Sequence, residues 1–308
     1  MQRESDTGLA HKRVATPWMA QPERSREAPI RAFAWIALKL GRQAARLLLH
    51  PITLYFMLFS GEAKAASREY LRKVLDREPR LTERYRHYHA FASTILDRVY
   101  LLKGQHSAFD IRAFNEAIMR DMIARGEGCF LVGAHLGSFE VIRSLGRATG
   151  GLKVRMVMYE ENAKKLNAVL TAIDPRLAGD VIGLGKPDSM LKVERALANG
   201  EFVGMLADRT LQDEGTIEVP FFGVAARIPL GPFRMAAIMK RPVILMFGLY
   251  RGGRRYDIHF EHLVDMSDVH RGTRDEVIAD AARRYVERLE HYCRLAPYNW
   301  FNFYDYWL

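Results

Sequence analysis

The chain has 308 residues, of which 49% are hydrophobic, and its formal net charge is +10. This length and apolar content allow one or two domains with a sizeable buried core. Two cysteines, Cys129 and Cys293, exclude a disulfide-held scaffold and are typical of a reducing compartment. The basic charge leaves three classes of partner open: nucleic acid, an anionic membrane surface and acidic substrates.

The first residues of the chain predict a polar tail. Residues 1–30 contain many charges and three prolines and show little apolar periodicity, so we expect them to be poorly ordered. They lack the apolar core region of a signal peptide. Positive charge is concentrated at this end, because residues 1–80 hold 15 Lys and Arg against 8 Asp and Glu.

Residues 31–59 predict a membrane-associating segment. Lys39, Arg42 and Arg46 interrupt its apolar residues at a spacing that places all three on one helical face. Pro51 then punctuates the chain before a wholly apolar cluster. Neither half supplies the roughly 20 uncharged apolar residues of a spanning helix. We expect an interfacial helix on anionic lipid, with an ordinary amphipathic helix packed on the domain as the alternative.

The rest of the chain predicts an α/β fold, with a largely parallel central sheet flanked by helices and an N-terminal helical membrane-associating layer. Helical patterns occupy Ala63–Leu75, Leu81–Leu102 and Ile111–Arg125, then Phe139–Arg147, Ala163–Ala172, Ser189–Ala198, Pro232–Met239 and Arg274–Arg294. Short apolar strands are expected at Cys129–Ala134, Val154–Met158, Asp180–Ile182, Phe202–Leu206, Val243–Leu249 and Tyr256–Phe260. Such alternation indicates a sheet covered on both faces, in a single domain over residues 31–308.

Several common catalytic motifs are excluded. There is no CxxC pair and no HExxH, and His87 and His89 point to different sides of a predicted helix, so no metal site is expected. A phosphate loop ending at Lys186 fails because Asp180 stands where a glycine is required. Ser138 lacks the flanking glycines of a nucleophile elbow. We expect no cofactor.

His135 and Glu140 are the strongest catalytic candidates. His135 follows the predicted strand Cys129–Ala134, and in an open α/β sheet ligands bind at the carboxyl ends of strands. If a helix starts near Ser138, Glu140 lies in its first turn and can face back towards His135. A carboxylate at Nδ1 would fix the tautomer and leave Nε2 to act as a general base. A structural histidine and a helix-dipole glutamate are the alternative interpretations.

His-x₄-Glu after an apolar strand resembles the signature of the glycerolipid acyltransferase superfamily. Residues 207–223, which run from Ala207-Asp208-Arg209 through Gly215 to Val-Pro-Phe-Phe-Gly, resemble the second signature of its bacterial lipid A late-acyltransferase branch. Residues 228–236, Ile-Pro-Leu-Gly-Pro-Phe-Arg-Met-Ala, continue that likeness in the same order. The resemblance covers roughly residues 30–295.

The resemblance implies a membrane-associated O-acyltransferase at the cytoplasmic face of the cell inner membrane. An acyl chain would move from an acyl carrier protein (ACP) or CoA thioester to a lipid hydroxyl, with His135 as the base and Glu140 as its partner. Substrate would be bound at the following positions: Asp208, Arg209, Lys186, Gly215 and Arg234. The implied partners are the acyl-ACP or acyl-CoA donor, the lipid acceptor and an anionic membrane surface, but no nucleic acid.

The chain departs from the lipid A branch in three places, one of which is the basic motif between the first two blocks, where only Gly185-Lys186-Pro187 is found. Asp208-Arg209-Thr210 replaces the usual Asp-Gln-Asp or Asp-His-Asp, and Arg209 adds a cation that can hold a phosphate or carboxylate. Residues 298–307 are strongly aromatic and resemble acyltransferases found with aryl-polyene lipid pathways. That aromatic run predicts core packing, an interfacial belt or one wall of an acyl groove.

Two other functions stay open from the residues alone. The same His–Glu pair could activate water on an ester or thioester, because only exclusion of water separates transfer from hydrolysis. A non-catalytic basic membrane adaptor or nucleic-acid binder would also explain the net charge of +10, although no nucleic-acid motif is present.

Overall fold

The computed structural model describes residues 27–149, 152–160, 162–163, 180–186, 188–210 and 215–307, and for residues 27–38, 40 and 147–149 it describes the backbone alone. Most of the predicted tail and of the predicted helix Ala163–Ala172 lies outside these residues. The extent of the domain, residues 31–308, therefore stays a prediction.

A seven-stranded sheet forms the centre of the fold. Its strands and those of a separate hairpin are β1 (Asp110–Phe114), β2 (Phe130–Gly133), β3 (Val154–Tyr159), β4 (Val181–Leu184), β5 (Phe202–Leu206), β6 (Thr216–Phe221), β7 (Val224–Pro229), β8 (Val243–Tyr250) and β9 (Arg255–Val264). The sheet order is β1-β9-β8-β2-β5-β3-β4, and only the β8–β9 pair is antiparallel. The predicted α/β fold with a largely parallel sheet is confirmed.

Helices cover both faces of this sheet. They are α1 (Glu27–Phe59), α2 (Gly61–Leu75), α3 (Leu81–Leu102), α4 (Glu116–Ala124), α5 (Phe139–Thr149), α6 (Ser189–Ala198), α7 (Gly231–Met239) and α8 (Arg274–Leu295). Apolar residues of α1, α3, α4 and α5 are buried with one face, and those of α2, α6, α7 and α8 with the other. Because side chains alternate along a strand, Phe130 and Leu131 enter different cores.

The predicted helix Ile111–Arg125 is wrong over its first turn. Residues 110–114 form β1, which pairs in parallel with the start of β9. Asn115 then adopts a left-handed conformation, φ 57°, and donates a hydrogen bond from Nδ2 to the Phe260 carbonyl at 3.1 Å. Pairing with a strand 145 residues away overrides the local helical pattern, and the helix starts only at Glu116.

The β6–β7 hairpin was not predicted from the sequence. Its two-residue turn, Phe222-Gly223, has positive φ at both positions, 52° and 76°, which is the backbone that matches the twist of an antiparallel pair. The turn is held from outside, because Glu290 of α8 accepts a hydrogen bond from the Phe222 amide at 2.8 Å.

Helix α1 differs from the prediction in where it bends. Its non-helical residue is Gly41, with φ 79° and ψ 163°, whereas Pro51 lies inside the helix. Proline removes the hydrogen bond to the carbonyl four residues earlier, here Leu47. Leu47 is 70% exposed and Pro51 is exposed too, so this gap faces away from the domain and the helix continues through it.

The second half of α1 has apolar side chains on its exposed side as well as on its buried side. Ala45, Leu49 and Thr53 are buried, and Arg42 pairs with Asp97 of α3 at 2.8 Å. The exposed apolar side chains are Leu47, Leu48, Ile52, Leu54, Tyr55, Phe56, Leu58 and Phe59. No single described helix is long and apolar enough to cross a membrane. The pair formed by Gly41–Phe59 and α2, which is bent by 95°, together has the length and apolar composition of a span.

Candidate active site

The site lies where two neighbouring parallel strands end. Strand β2 ends at Gly133 and is followed by His135, and β5 ends at Leu206 and is followed by Asp208. The two strands pair directly, from Phe130 with Val203 to Gly133 with Leu206. Their carboxyl ends therefore bring His135 and Asp208 together at one edge of the sheet, which is where ligands bind in open α/β sheets.

His135 is bound to Asp208 through both ring and backbone. Its Nδ1 lies 2.9 Å from Asp208 Oδ1, and its amide donates a hydrogen bond to Oδ2 at 3.0 Å. An ionised carboxylate only accepts hydrogen bonds, so Nδ1 carries the proton and Nε2 has the free lone pair. The His135 side chain is 31% exposed, so it is accessible to a substrate at the sheet edge.

Asp208 is fully buried and ionised. Burial raises its pKa, but the charge and hydrogen bond of His135, followed by the charge of Arg209, outweigh that effect and lower the pKa to about 2. Trp300 Nε1 and Asn302 Nδ2 also donate hydrogen bonds to Oδ2, at 3.0 and 3.1 Å. A carboxylate with this set of donors holds the imidazole in one orientation.

The imidazole of His135 is neutral near pH 7. Burial lowers its pKa, and the charges of Arg209 and Arg98 lower it further, whereas Asp208 raises it. Because the net pKa lies below the ordinary value of 6.5, the unprotonated base predominates at neutral pH. Arg98 on α3 was not found from the sequence, since nothing in its local pattern distinguishes it from a surface arginine.

The prediction that Glu140 accepts a hydrogen bond from His135 is wrong. Glu140 lies in the first turn of α5, as expected, but its Oε1 accepts a hydrogen bond from Arg143 Nη1 at 2.9 Å. Arg143 also binds Asp180 at 2.7 Å. Glu140 and Arg143 are both buried, so their charges must offset one another. Within the described residues, the other oxygen of Glu140, Oε2, is buried without a hydrogen-bond partner.

Glu140→Gln is therefore expected to destabilise the fold. The amide keeps the shape of the side chain but leaves the buried Arg143 with Asp180 as its remaining carboxylate. We expect the free energy of unfolding to fall by about 3 kcal/mol, as measured by urea denaturation. Glu287→Gln, at an exposed position on α8, is the matched control and should change the free energy of unfolding by less than about 0.5 kcal/mol. Equal stability of Glu140→Gln and the wild type would contradict the observed pairing.

Arg209 lies at the site but is held by the end of the chain. Its Nε donates a hydrogen bond to Asn302 Oδ1 at 2.8 Å and its Nη2 to the Phe301 carbonyl at 3.1 Å. The guanidinium also lies 5.4 Å from the ring centre of Tyr304. The predicted substrate residue is thus a fixed cation beside His135 and Asp208.

Of the other predicted substrate residues, Lys186 lies away from His135 along the sheet, and Gly215 and Arg234 contact each other. Lys186 is exposed, pairs with Glu160 at 3.2 Å and follows edge strand β4. Three strand spacings separate β4 from β2, which is about 14 Å. Gly215 and Arg234 are together, because a Cβ on Gly215 would meet Arg234 Nη1 at 2.2 Å. Gly215 also accepts a hydrogen bond from the Leu230 amide at 2.9 Å, just before α7. These two residues brace the base of the hairpin.

The C-terminal segment completes the site, and sequence reasoning missed this. The Phe301 amide donates a hydrogen bond to the His135 carbonyl at 2.7 Å, and the Gly137 amide donates one to the Asn299 carbonyl at 2.8 Å. Trp300 is fully buried, so core packing is correct for this part of the aromatic run. The signal available in the sequence was a pair of asparagines among the aromatics, at positions 299 and 302.

His87 anchors this segment from α3. Its Nε2 lies 2.8 Å from the Trp300 carbonyl, which can only accept, so Nε2 donates and Nδ1 accepts from the Ser67 hydroxyl at 2.9 Å. Burial lowers the pKa of His87 to about 4, although the hydrogen bond to Trp300 opposes that effect. His87 is therefore a neutral structural residue.

Acid is expected to destabilise the protein through His87. The unfolded chain takes up a proton below its ordinary pKa of about 6.5, whereas the folded chain resists until about pH 4. The contribution of His87 to the free energy of unfolding is thus fully present above pH 6.5 and is lost as the pH falls below that value. We expect a loss of about 2 kcal/mol at pH 5 relative to pH 8, measured by urea denaturation. His87→Gln should reduce the difference in stability between pH 5 and pH 8. An unchanged difference would show that His87 is not its source.

The family follows from a comparison of the whole sequence. Residues 28–308 match the family model described as bacterial lipid A biosynthesis acyltransferase. The chain belongs to this family. It is an acyltransferase that acts on lipids, with an acyl donor and a lipid acceptor as substrates. The resemblance stated from the motifs is confirmed at this level, and the aryl-polyene branch stays a prediction.

Comparison with individual proteins adds a structural likeness. The chain is similar to the 1-acyl-sn-glycerophosphate (LPA) acyltransferase PlsC from Thermotoga maritima, with 16% sequence identity and a TM-score of 0.38. The match covers 81% of this chain and 98% of that one. No sequence among curated proteins matches this chain.

Proposed function

We propose that this acyltransferase moves a fatty acyl chain from an ACP or CoA thioester to a hydroxyl of a lipid or glycolipid, with His135 as the general base. The hydrogen bond of 2.9 Å between His135 Nδ1 and Asp208 supports this most strongly. It leaves Nε2 unprotonated on a ring that is partly accessible, as a base for an incoming hydroxyl requires. Asp208 takes the orienting role that the sequence suggested for Glu140.

The proposed reaction needs no acyl-enzyme. Nε2 takes the proton of the acceptor hydroxyl while its oxygen attacks the thioester carbonyl. The tetrahedral intermediate then expels the thiolate, which takes the proton back from the imidazolium. The products are an ester and a free thiol. Cys129 and Cys293 are buried, burial raises the pKa of both thiols, and Ser138 is buried too, so none is placed to act as a nucleophile.

Arg209 is the proposed electrostatic contribution to the transition state. Negative charge develops on the carbonyl oxygen during attack, and a fixed cation near that position lowers the barrier. Arg209 is held by three contacts to the C-terminal segment, so little reorganisation is needed when charge develops. The net charge of +10 also favours encounter with acidic partners such as ACP and anionic lipid.

The products of the reaction test the proposal. Purified protein is incubated with acyl-ACP or acyl-CoA and a lipid acceptor in detergent, and products are resolved by mass spectrometry. We expect acylated lipid, and no product when the acceptor hydroxyl is blocked as a methyl ether. Release of mostly free fatty acid, with or without the hydroxyl, would instead establish the hydrolase alternative.

We also propose that the protein binds the cytoplasmic face of the inner membrane through the second half of α1. Monomeric soluble proteins rarely expose large contiguous apolar patches, yet this helix exposes 68% of Phe59, 59% of Leu58 and 70% of Leu47. Arg46 lies on the same half of the helix, and cations beside an apolar face favour anionic lipid.

Leu58→Glu is expected to weaken binding to lipid vesicles roughly tenfold, because a charge replaces an apolar contact with the bilayer. Leu191→Glu on α6 is a close control, since that leucine is 53% exposed against 59% for Leu58. Vesicle sedimentation measures both. If the two variants bind alike, α1 is not the membrane-binding element.

A further inference from the structure

We propose that a basic pocket between α1, α3 and the β8–β9 turn binds the phosphate of an anionic phospholipid. The pocket has a volume of about 370 Å³. Its charged or titratable lining residues are Arg42, Arg46, His50, His89 and Arg254, and its apolar one is Leu47. None of the described residues that line it carries a carboxylate. The proposal rests on the membrane association proposed for α1 and names a lipid contact for it.

The positive charge of the pocket is only partly offset. Arg42 makes two hydrogen bonds to Asp97, at 2.8 and 2.9 Å, and one to the Gly253 carbonyl at 2.6 Å, so it is structural. Arg46 donates a hydrogen bond to the Tyr250 hydroxyl at 3.0 Å. Within the described ranges, neither Arg46 nor the exposed Arg254 forms an ion pair. Two guanidinium groups are therefore available to an anion, and arginine binds phosphate oxygens with geometric specificity.

Two imidazole rings line the pocket together with these arginines. The ring centroids of His50 and His89 lie 4.9 Å apart with 25° between the ring planes, and Tyr85 packs beside both rings. In the part of the chain that the structure describes, His89 Nε2 is buried and has no hydrogen-bond partner. Burial lowers the pKa of His89, and the charges of His50 and Arg46 lower it further. An anion in the pocket would offset that repulsion and satisfy the buried nitrogen.

The apolar surroundings favour a lipid phosphate over free phosphate. Leu47 lines the pocket, and Leu48 and Ile52 extend the exposed apolar surface along the same helix. A headgroup bound by Arg46 and Arg254 would leave its acyl chains against that surface. Inorganic phosphate has the same oxygen chemistry but makes no use of the apolar side chains.

The test compares two double variants that remove the same charge. Arg46→Gln/Arg254→Gln alters the pocket. Arg283→Gln/Arg284→Gln alters exposed positions on α8, on the opposite face of the sheet. Binding is measured on vesicles of phosphatidylcholine with and without phosphatidylglycerol. We expect the pocket variant to bind the anionic vesicles at least about tenfold more weakly than the wild type, the α8 variant to bind nearly as well, and all three to bind neutral vesicles alike.

Each other outcome overturns the proposal. Equal losses in both variants would show that net charge alone matters, and no loss in either would show that the pocket is not used. Phosphate that stabilises the wild type thermally but does not compete with anionic vesicles would assign the pocket to free phosphate. The single variant Arg254→Gln keeps the hydrogen bond between Arg46 and Tyr250. It therefore shows whether weaker binding persists when that contact of the fold is intact. Acyl transfer in detergent should persist in the pocket variant; its loss there would assign the pocket to an acyl-transfer substrate and not to a membrane lipid, whereas failure of the wild type to transfer acyl chains would count against the proposed function alone.

Discussion

Asp208→Asn is expected to lower kcat by about 10³–10⁴-fold while the protein stays folded. Three N–H groups converge on Oδ2 of Asp208: the His135 amide, Trp300 Nε1 and Asn302 Nδ2. In the variant this position must be taken by the amide oxygen, because an NH₂ group there would face three donors. The new NH₂ group then points at His135 Nδ1.

That arrangement traps the wrong tautomer. Nδ1 has to accept from the asparagine, so the ring proton moves to Nε2, the nitrogen that must take the substrate proton. The hydrogen bonds remain satisfied, which is why the fold should survive. Asp268→Asn, at an exposed position outside the site, should keep wild-type activity. A thermally stable Asp208→Asn enzyme with kcat within tenfold of wild type would show that Asp208 does not set the tautomer.

Much of this edge of the sheet could be predicted from the sequence. The apolar runs before His135 and Asp208 are short, buried and unbroken, so strands β2 and β5 follow from composition and length. Parallel strands end at one edge, which is enough to bring the two residues near each other. Strand Phe202–Leu206 and helices Leu81–Leu102 and Ser189–Ala198 have the predicted bounds, because clear breaks flank them.

The choice of partner for His135 could not be predicted in the same way. Glu140 and Asp208 are both carboxylates within plausible reach, and the spacing along the chain favours the nearer one. What decides between them is Arg143, whose guanidinium is held by Asp180 and takes the Glu140 carboxylate. That choice depends on a contact between residues 37 apart, which no local pattern encodes.

The C-terminal segment shows the same limit. Trp300 and Asn302 lie more than 90 residues after Asp208, and their side-chain hydrogen bonds to it depend on how the segment crosses the sheet edge. Aromatic composition predicted burial but carried no information on hydrogen bonding. Strand β1 and the β6–β7 hairpin were missed for a related reason, since pairing with another strand, and not local periodicity, forms them.

His135→Ala is expected to abolish most acyl transfer, with kcat lower by about 10²–10⁴-fold, the usual contribution of a general base. The side chain is partly exposed and alanine leaves no buried charge behind except Asp208, which keeps its bonds to Trp300 and Asn302. The variant should therefore fold, and its circular dichroism and thermal unfolding serve as the check.

The pH profile separates a base from a merely structural histidine. For the wild type, log(kcat/KM) should rise with pH and then level off, with the midpoint of the rise below pH 6.5, because burial and Arg209 lower the pKa of His135. Asp208 raises that pKa, so Asp208→Asn should move the rise to still lower pH while depressing the plateau. His135→Ala should lose this rise altogether. A His135→Ala enzyme that transfers acyl chains at the wild-type rate, or keeps the wild-type pH profile, would refute the mechanism, whereas loss of both rate and profile ties the chemistry to this imidazole.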